Sequence, residues 1–339
     1  TTEQIIDEVP AMQIFSERDV NETQLQSKKI TILGYGSQGR AHAMNLKDSG
    51  LNVIVGLRRT GSSWDKATAD GLTVLETDEA VIDSDLVSFL VPDMAQPKLY
   101  AVLESKIKNS ATILFAHGFN IHYQQIKPRD DLDVILIAPK SPGDLVRRQY
   151  TKGKGVPCLM AIEKDNSGQA QANALAYAHG IGGSRAGILT TTFAEETETD
   201  LFGEQAVLCG GVTELIVAGF DTLVDAGYQP EVAYFECMHE LKLIVDLLYE
   251  GGIEKMHKFV SETAIYGDLS RGPRIINSET KERMKTILTE IQNTTFAEEW
   301  IEENKSGKEN YNRMMNDDQN QQIEKVGKEL RERMSWLKN

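Results

Sequence analysis

Four acidic side chains form two closely spaced pairs in the second half of the chain. Asp200 and Glu204 make one pair, and Glu236 and Glu240 make the other. In a helix, a spacing of four residues points both carboxylates of a pair in the same direction. Neither pair has a Lys or Arg partner at that spacing, and the neighbouring side chains are apolar. Four oxygen-bearing side chains suit a hard divalent cation such as Mg²⁺.

Spacing alone leaves a second interpretation of these pairs open. Acidic runs are usually solvated helix faces, and the run at residues 195–199 leads directly into the first pair. Glu196 and Asp200 are also four residues apart, so the register of the first pair is ambiguous. Glu236 and Glu240 lie in an amphipathic segment beside a mostly apolar surface, which favours the metal interpretation for them.

Residues 34–39, with the sequence GYGSQG, follow an apolar strand-like run and open a helix-like stretch. The three glycines of a G-x-G-x-x-G motif permit a tight turn and a close approach of the backbone to a pyrophosphate. The motif in this context predicts a dinucleotide site, and the alternative is a glycine-rich turn without a ligand.

The end of the next predicted strand distinguishes between cofactors. An NAD site usually carries an acid there, about 20 residues further on, that binds the ribose hydroxyls. This chain has Arg58, Arg59, Thr60, Ser62 and Ser63 instead. Two cations and several hydroxyls fit a 2′-phosphate, which favours NADPH, unless the two arginines are simply exposed in a loop.

Further polar residues follow other predicted strands: Asp93 and Gln96, then His117, then Lys140. Ligands of open α/β sheets bind beyond the carboxyl ends of the strands. A single His in such a place is often ordinary loop chemistry, but several polar strand ends beside one glycine-rich loop predict a catalytic edge.

Short apolar runs alternate with helix-like stretches through the first half of the chain and predict an open, doubly wound α/β sheet of parallel strands. The predicted strands are 30–34, 51–57, 85–91, 111–116, 133–138 and 157–162. Helical periodicity then replaces strands from about Phe193, and residues 212–228 predict a helix that needs apolar cover on nearly all sides. We predict a nucleotide-binding Rossmann domain over 1–183, an all-helical domain over 184–330 and a charged tail over 331–339, with the region beyond Glu298 solvated.

Bulk composition narrows the classes of function. The chain has 339 residues and a net charge of −15, which argues against nucleic acid or an anionic membrane as the main partner. Three dispersed cysteines without C-x-x-C spacing predict neither disulfides nor a zinc site, and favour a reducing, cytoplasmic compartment. No apolar run is expected to reach membrane-spanning length.

With these residues in view, the chain resembles the ketol-acid reductoisomerase family in its short, class I form. The resemblance covers nearly the whole length and is most specific at 34–39, 115–122, 138–143, 198–211, 235–247 and 261–274. It implies a Mg²⁺-dependent alkyl shift in a 2-aceto-2-hydroxy acid such as 2-acetolactate, followed by NADPH reduction to a 2,3-dihydroxy acid. The implied pathway is branched-chain amino acid biosynthesis.

The resemblance also implies roles for individual residues. Asp200, Glu204, Glu236 and Glu240 match ligands of two Mg²⁺ ions, which selects Asp200 with Glu204 as the first pair. Ser261 matches a substrate contact, His117 and Lys140 match catalytic residues, and Glu204 is the candidate general acid. The positions matching the cofactor site are Gly34, Tyr35, Gly36, Ser37, Gln38, Gly39, Arg58, Ser63, Asp93, Met94, Ala95, Gln96 and Gly143.

The family's second domain is knotted and intertwined with a second subunit, so the resemblance implies a homodimer with shared active sites, and leaves higher assembly open. Three places depart from the usual pattern: Arg40 replaces His, Asp144 ends a stretch that commonly reads K-G-P-G-H, and Gly61 replaces Ser.

Two other functions compete with this one: a metal-free hydroxy-acid or prephenate-type dehydrogenase, and a dinucleotide sensor without catalysis. The preference between 2-acetolactate and 2-aceto-2-hydroxybutyrate, and the tolerance of NADH, stay open.

Overall fold

The protein is described by a computed structural model over residues 12–334 and residue 337. The chain divides into two compact units after Thr197. The strands of the first unit are β1 (Ile14–Phe15), β2 (Lys29–Leu33), β3 (Asn52–Leu57), β4 (Thr73–Glu76), β5 (Leu86–Phe89), β6 (Thr112–Phe115), β7 (Asp133–Pro139), β8 (Cys158–Lys164) and β9 (Ile188–Thr190). Its α-helices are α1 (Ser37–Asp48), α2 (Ser62–Ala69), α3 (Thr77–Ala80), α4 (Gln96–Leu103), α5 (Phe119–His122), α6 (Gly143–Thr151) and α7 (Ala170–Gly180), and α8 (Phe193–Gly203) runs across the division.

The strands form one nine-stranded sheet in the order β1-β9-β8-β7-β6-β5-β2-β3-β4. The neighbours from β4 to β7 are all parallel, so β2, β3, β5, β6 and β7 end at the same edge. The chain order reverses between β2 and β5, which is where doubly wound sheets bind their ligands. This confirms the predicted Rossmann-type architecture.

One predicted strand has the opposite direction to the one expected. Residues 157–162 coincide with β8, but β8 is antiparallel to β7, with Pro139 paired to Cys158. The connection contains only α6, which packs against α1, and Lys140 N donates to the Pro157 carbonyl at 2.9 Å. Because the chain never crosses back to the opposite edge, it enters β8 from the edge where β7 ended. The sheet is therefore mixed.

Continuous apolar runs correctly predicted the strands that are covered on both faces of the sheet. The other five predicted strands coincide with β2, β3, β5, β6 and β7, and side chains such as Ile32, Phe89 and Ile113 are fully buried. Three short strands were not predicted: β1, β4 and β9. Strand β9 pairs with β8 and β1, so it belongs to the sheet although it lies beyond residue 183.

The second unit is helical, as predicted, and no strand occurs among its described residues up to 334. Its helices are α9 (Gly210–Asp225), α10 (Pro230–Tyr234), α11 (Leu241–Phe259), α12 (Glu262–Ile275), α13 (Ser278–Gln292), α14 (Thr295–Lys305), α15 (Glu309–Gln319) and α16 (Gln322–Arg333). Two π-helical segments, Glu204–Leu208 and Phe235–His239, precede α9 and α11. The knot remains a prediction.

Helix α16 contributes to the core of this unit, contrary to the prediction of a solvated region beyond Glu298, whereas α15 contains no buried residue, in agreement with that prediction. Ile323 on α16 is 3% exposed and belongs to a cluster with Phe220 and Tyr234. Arg331 Nη1 donates to the Tyr234 hydroxyl at 3.1 Å. The high charge of this region concealed the apolar stripe of α16, which begins before the predicted boundary at 330/331 and continues past it.

The expectation about apolar length was also wrong. Helical structure is continuous over Phe193–Asp225, 33 residues, and an 18-residue window within it has a mean hydropathy of 1.7. That is long and apolar enough for a membrane span by length and composition, and only 6% of the window is buried within the chain. The same composition occurs in helices buried at protein interfaces, and this helix leaves a large apolar surface uncovered within the described chain.

Candidate active site

The glycine-rich turn after β2 is shaped by close backbone packing. Gly34 has φ +101°, and a Cβ there would lie 2.6 Å from the Leu90 carbonyl oxygen. A Cβ on Gly39 would lie 2.5 Å from the Gly34 carbonyl oxygen. Gly36 differs: among the described residues, no atom beyond its own neighbours in the chain lies within 4 Å of its Cβ position, and it is the N-cap of α1. Open space at a helix N-terminus fits a bound pyrophosphate.

Tyr35, within this turn, directs its side chain to the protein interior. It is 4% exposed, and its hydroxyl donates to Asp70 Oδ2 at 2.8 Å. Arg40 Nε donates to the same oxygen at 2.7 Å, and Nη2 donates to Oδ1 at 3.1 Å. The bond from Arg40 holds the pKa of Asp70 below its usual range. Arg40, which stands where the family commonly has His, therefore forms an ion pair with Asp70. Because the Tyr35 side chain points inward, a bound dinucleotide would contact the backbone of Tyr35.

The loop after β3 exposes the predicted phosphate-binding groups. Arg58 and Arg59 are exposed, and the Arg59 guanidinium lies 5.7 Å from the centre of the Trp64 ring. Gly61 is the N-cap of α2, which places Ser62 and Ser63 in the first turn of that helix. Cations and hydroxyls at a helix N-terminus form an anion-binding arrangement.

The residues after β5 contribute differently from one another. Asp93, Met94 and Ala95 form a 3₁₀ turn. Gln96 is 4% exposed, and its amide donates to the Val91 carbonyl at 2.9 Å while its oxygen accepts from Asn120 at 2.9 Å. The side chain of Gln96 therefore holds the loop in shape.

The loop after β7 packs directly on the start of α1. A Cβ on Gly143 would lie 2.3 Å from the carbonyl carbon of Ser37, so only glycine fits there. Asp144 N donates to Ser37 Oγ at 3.1 Å, and Gln38 Nε2 donates to the Ser141 carbonyl at 2.9 Å. Gly143 thus enables contact between two loops that both border the predicted cofactor site.

His117 and Lys140 are brought together by Glu196, a residue of the acidic run at 195–199 that was not among the predicted site residues. The Glu196 side chain is 1% exposed. Its Oε2 accepts from Gly118 N at 2.9 Å and lies 3.1 Å from His117 Nδ1, while Oε1 accepts from Lys140 Nζ at 3.1 Å. Burial would raise the pKa of Glu196, but His117, Lys140 and the Gly118 amide outweigh it and lower that pKa.

Both carboxylate pairs adjoin π-helical turns. Cys209 N donates to the Glu204 carbonyl at 3.0 Å, and Glu240 N donates to the Phe235 carbonyl at 3.1 Å, both across five residues. The wider turn changes the direction of side chains spaced by four, so the assumption of regular α-helical geometry was wrong for Glu236 and Glu240. Such turns are frequent at functional sites.

The four predicted metal ligands differ in exposure. Asp200 is partly buried on α8, one turn after Glu196, whereas Glu204, Glu236 and Glu240 are exposed. Within residues 12–334 and 337, these three belong to no group of three or more metal-ligating atoms within 4.8 Å of one another. Ser261 is exposed and is the N-cap of α12, where its Oγ accepts from Ala264 N at 3.1 Å.

Two family models match the chain in succession. Residues 24–187 match the acetohydroxy acid isomeroreductase NADPH-binding domain, and residues 193–336 match the ketol-acid reductoisomerase C-terminal domain. The chain belongs to the ketol-acid reductoisomerase family. It is 61% identical over 310 residues to the ketol-acid reductoisomerase (NADP(+)) of Xylella fastidiosa strain Temecula1, covering 91% of this chain and 89% of that one.

Two further relatives agree with this assignment. The ketol-acid reductoisomerase (NADP(+)) of Xanthomonas euvesicatoria is 59% identical over 318 residues, covering 94% of this chain and 95% of the relative. The solved structure of an NADH-preferring ketol-acid reductoisomerase from an uncultured archaeon matches with a TM-score of 0.92 and 45% identity, over 94% of this chain and 98% of that one. The predicted family, the enzyme class and the order of a Rossmann-type domain followed by a helical domain are confirmed: the chain is an oxidoreductase of the isomeroreductase type with an NADPH-binding first domain.

Proposed function

We propose that the chain converts 2-acetolactate or 2-aceto-2-hydroxybutyrate to the corresponding 2,3-dihydroxy acid, by an alkyl shift followed by reduction with NADPH. The observation that carries this proposal is the buried Glu196 contact with both His117 and Lys140. These groups follow β6 and β7, at the same edge of the sheet as the glycine-rich turn after β2. Acid–base groups and a dinucleotide turn at one edge are what a reductase of this class requires.

Glu196 fixes the proton positions of its partners. Its carboxylate can only accept, so neutral His117 carries its proton on Nδ1 and its acceptor lone pair on Nε2. The same carboxylate holds the Lys140 ammonium as a donor. We assign to His117 and Lys140 proton transfer and stabilisation of the substrate oxygen at the carbon that receives the hydride.

Asp200, Glu204, Glu236 and Glu240 are our candidates for holding two Mg²⁺ ions, since carboxylate oxygens are the ligands that Mg²⁺ prefers. When bound, the ions would polarise the carbonyl that receives the alkyl group and acidify the substrate hydroxyl. Glu204 is assigned as general acid, a role that a Glu204→Gln variant isomerising normally with both metals bound would remove. Ser261 is assigned to substrate, with its backbone position set by capping α12.

Cofactor preference is proposed from the loop after β3. Arg58, Ser62 and Ser63 supply positive charge and hydroxyls for a 2′-phosphate, and the described loop exposes all or part of each. The archaeal relative is NADH-preferring by its own description, so the choice is a property of individual chains. We propose NADPH for this chain, tested by comparing kcat/KM for NADPH and NADH.

We propose a homodimer in which each active site takes residues from both subunits. Helices α11 and α12 contain no buried residue within the chain, although Tyr249, Ile253, Phe259, Tyr266 and Leu269 are large and apolar. An uncovered apolar surface of this extent is typical of obligate interfaces. A stable and active monomer in analytical ultracentrifugation would contradict the dimer, and the same experiment measures higher assembly.

The central test is NADPH oxidation with 2-acetolactate, with and without Mg²⁺ and after EDTA. We expect turnover only with Mg²⁺, and loss of turnover in Glu236→Gln and Glu240→Gln. Glu231→Gln is the matched control, because Glu231 is an exposed acid on the neighbouring helix α10. Turnover that survives EDTA would favour the metal-free dehydrogenase, and NADPH binding without turnover would favour the sensor.

The three cysteines are all free, in keeping with a proposed reducing, cytoplasmic location.

A further inference from the structure

A line of hydrogen-bonded side chains runs from the interior of the sheet to the dinucleotide turn. Tyr177 Oη on α7 lies 3.1 Å from Ser88 Oγ on β5 and 2.9 Å from His42 Nδ1 on α1. His42 Nε2 lies 3.2 Å from Gln38 Oε1, and Gln38 Nε2 lies 2.9 Å from the Ser141 carbonyl oxygen. Tyr177, Ser88 and His42 are fully buried, so bulk water does not compete for these bonds.

The last acceptor determines the direction of every bond in this line. The Ser141 carbonyl can only accept, so the Gln38 atom facing it must be the amide nitrogen. Gln38 then presents its oxygen to His42, which must carry a proton on Nε2. The remaining nitrogen, Nδ1, accepts from the Tyr177 hydroxyl, and that hydroxyl accepts from Ser88.

The surroundings of His42 keep the imidazole neutral, as this arrangement requires. Both ring nitrogens face uncharged groups, the Tyr177 hydroxyl and the Gln38 amide. Burial lowers the pKa of His42 to about 3. The ring therefore stays neutral across the physiological range of pH.

Gln38 lies where two loops of the candidate site meet. Its amide joins the start of α1 to the loop that follows Lys140, and Asp144 N donates to Ser37 Oγ in the same contact. If the amide turned by half a rotation, its oxygen would face the Ser141 carbonyl oxygen and the bond would be lost. The Ser141 carbonyl and the Nε2-protonated tautomer of His42 favour the same orientation of the amide, so each stabilises the other.

We propose that His42 is a positioning residue whose Nε2-protonated form, stabilised by the bond from the Tyr177 hydroxyl to Nδ1, helps to lock the Gln38 amide and so couples the dinucleotide turn to the loop that follows Lys140. The proposal rests on the proposed assignment of residues 34–39 and Lys140 to the active site. His42 itself touches neither substrate nor cofactor; it acts through Gln38.

The first test is the tautomer in the wild-type protein, because it needs no substitution. Long-range proton–nitrogen NMR distinguishes protonated from unprotonated ring nitrogens, and a His42→Gln variant assigns the signal among the six histidines. We expect Nε2 protonated and Nδ1 bare from pH 6 to 8, a window that spans the ordinary His pKa of about 6.5. A protonated Nδ1, in either the neutral or the charged ring, would overturn the proposal.

The second test removes, with Tyr177→Phe, the hydroxyl that donates to His42 Nδ1. We expect a mixture of tautomers and an NADPH Kd raised about threefold to tenfold by calorimetry, the effect of losing one hydrogen bond. Tyr100→Phe is the matched control: Tyr100 is also buried, but its hydroxyl accepts from Arg129 N at 2.9 Å, in a different contact. Ser88→Ala should leave the tautomer unchanged, since the Tyr177–His42 bond remains.

An unchanged tautomer or an unchanged Kd in Tyr177→Phe would refute the coupling. An equal rise in Tyr100→Phe would also refute it, because the effect would then follow from any lost buried hydroxyl. Both readouts are made without turnover. Failure of the proposed function would instead appear as absent Mg²⁺-dependent turnover in the wild-type protein.

Discussion

Glu196→Gln is the sharpest test of how the chain organises its catalytic groups. The substitution keeps the shape of a side chain that is 1% exposed, but it replaces one acceptor oxygen with an NH₂ group. If the amide oxygen takes the place of Oε2, it still accepts from Gly118 N and can still face His117 Nδ1. The NH₂ group then opposes the Lys140 ammonium, 3.1 Å away in the native protein, and Lys140 loses this acceptor.

The expected magnitude follows from that single lost contact. A hydrogen bond to a charged group contributes about 1.5–3 kcal/mol, and each 1.4 kcal/mol is about a factor of ten in rate. We therefore expect kcat/KM for direct NADPH reduction of the 2-keto acid intermediate to fall by about 10- to 150-fold. The assay follows NADPH absorbance at saturating Mg²⁺, and thermal unfolding verifies that the variant is folded.

The control is Glu195→Gln, the neighbouring exposed acid on the same helix, which should stay within about twofold of wild type. A double variant with Lys140→Met isolates the coupling. If Glu196 acts through Lys140, adding Glu196→Gln to Lys140→Met should cost much less than Glu196→Gln alone. A fully additive loss, or a Glu196→Gln enzyme within about twofold of wild type, would refute the reasoning.

Three further predictions concern the dinucleotide domain. Gly36→Ala should fold normally but weaken NADPH binding, whereas Gly39→Ala should lower the unfolding temperature. The reason is that, of the two, only the Gly39 Cβ position meets backbone, at 2.5 Å. Equal unfolding temperatures in the two variants would contradict this. Arg58→Ala should raise the KM for NADPH with little effect on that for NADH, and equal changes would exclude a phosphate contact. Asp70→Asn should destabilise the domain by about 1 kcal/mol at pH 7 in urea unfolding. Because the pKa of Asp70 is lowered on folding, the stability difference between wild type and Asp70→Asn is fully present above the unfolded pKa of about 3.9. It must shrink as pH falls through the lower folded pKa. A stability difference that does not change with pH would contradict this reasoning.

The sequence predicted the parallel part of the sheet because burial on both faces imposes a continuous apolar run. Strands β2, β3, β5, β6 and β7 satisfy that condition, and their ends were correctly expected to carry the polar groups. Strand β4 reads Thr-Val-Leu-Glu and is nowhere fully buried, so no such run marks it. The direction of β8 depended on where α6 packs, which is a tertiary property that periodicity does not carry.

In the candidate site, too, the sequence predicts features set by local backbone geometry but not contacts between segments that are distant in sequence. Gly34, Gly36 and Gly39 were identified because their spacing reflects local backbone geometry. The contacts of Gly143 with Ser37, and of Gln96 with Asn120, join segments distant in sequence. No spacing rule relates such positions, so their roles emerged only from the fold.

Glu196 shows why an acidic run is a poor guide to which of its members is functional. Glu195 and Glu196 are adjacent on α8, yet the helical rotation between them exposes one and buries the other. A buried carboxylate requires donors, and Gly118, His117 and Lys140 supply them from two strand ends that are remote in sequence. In the sequence, the only sign of this role is the four-residue spacing of Glu196 and Asp200, which places both on one side of α8. Choosing Asp200 with Glu204 as the metal pair does not leave Glu196 without a role, because one helix can direct successive acids to different partners.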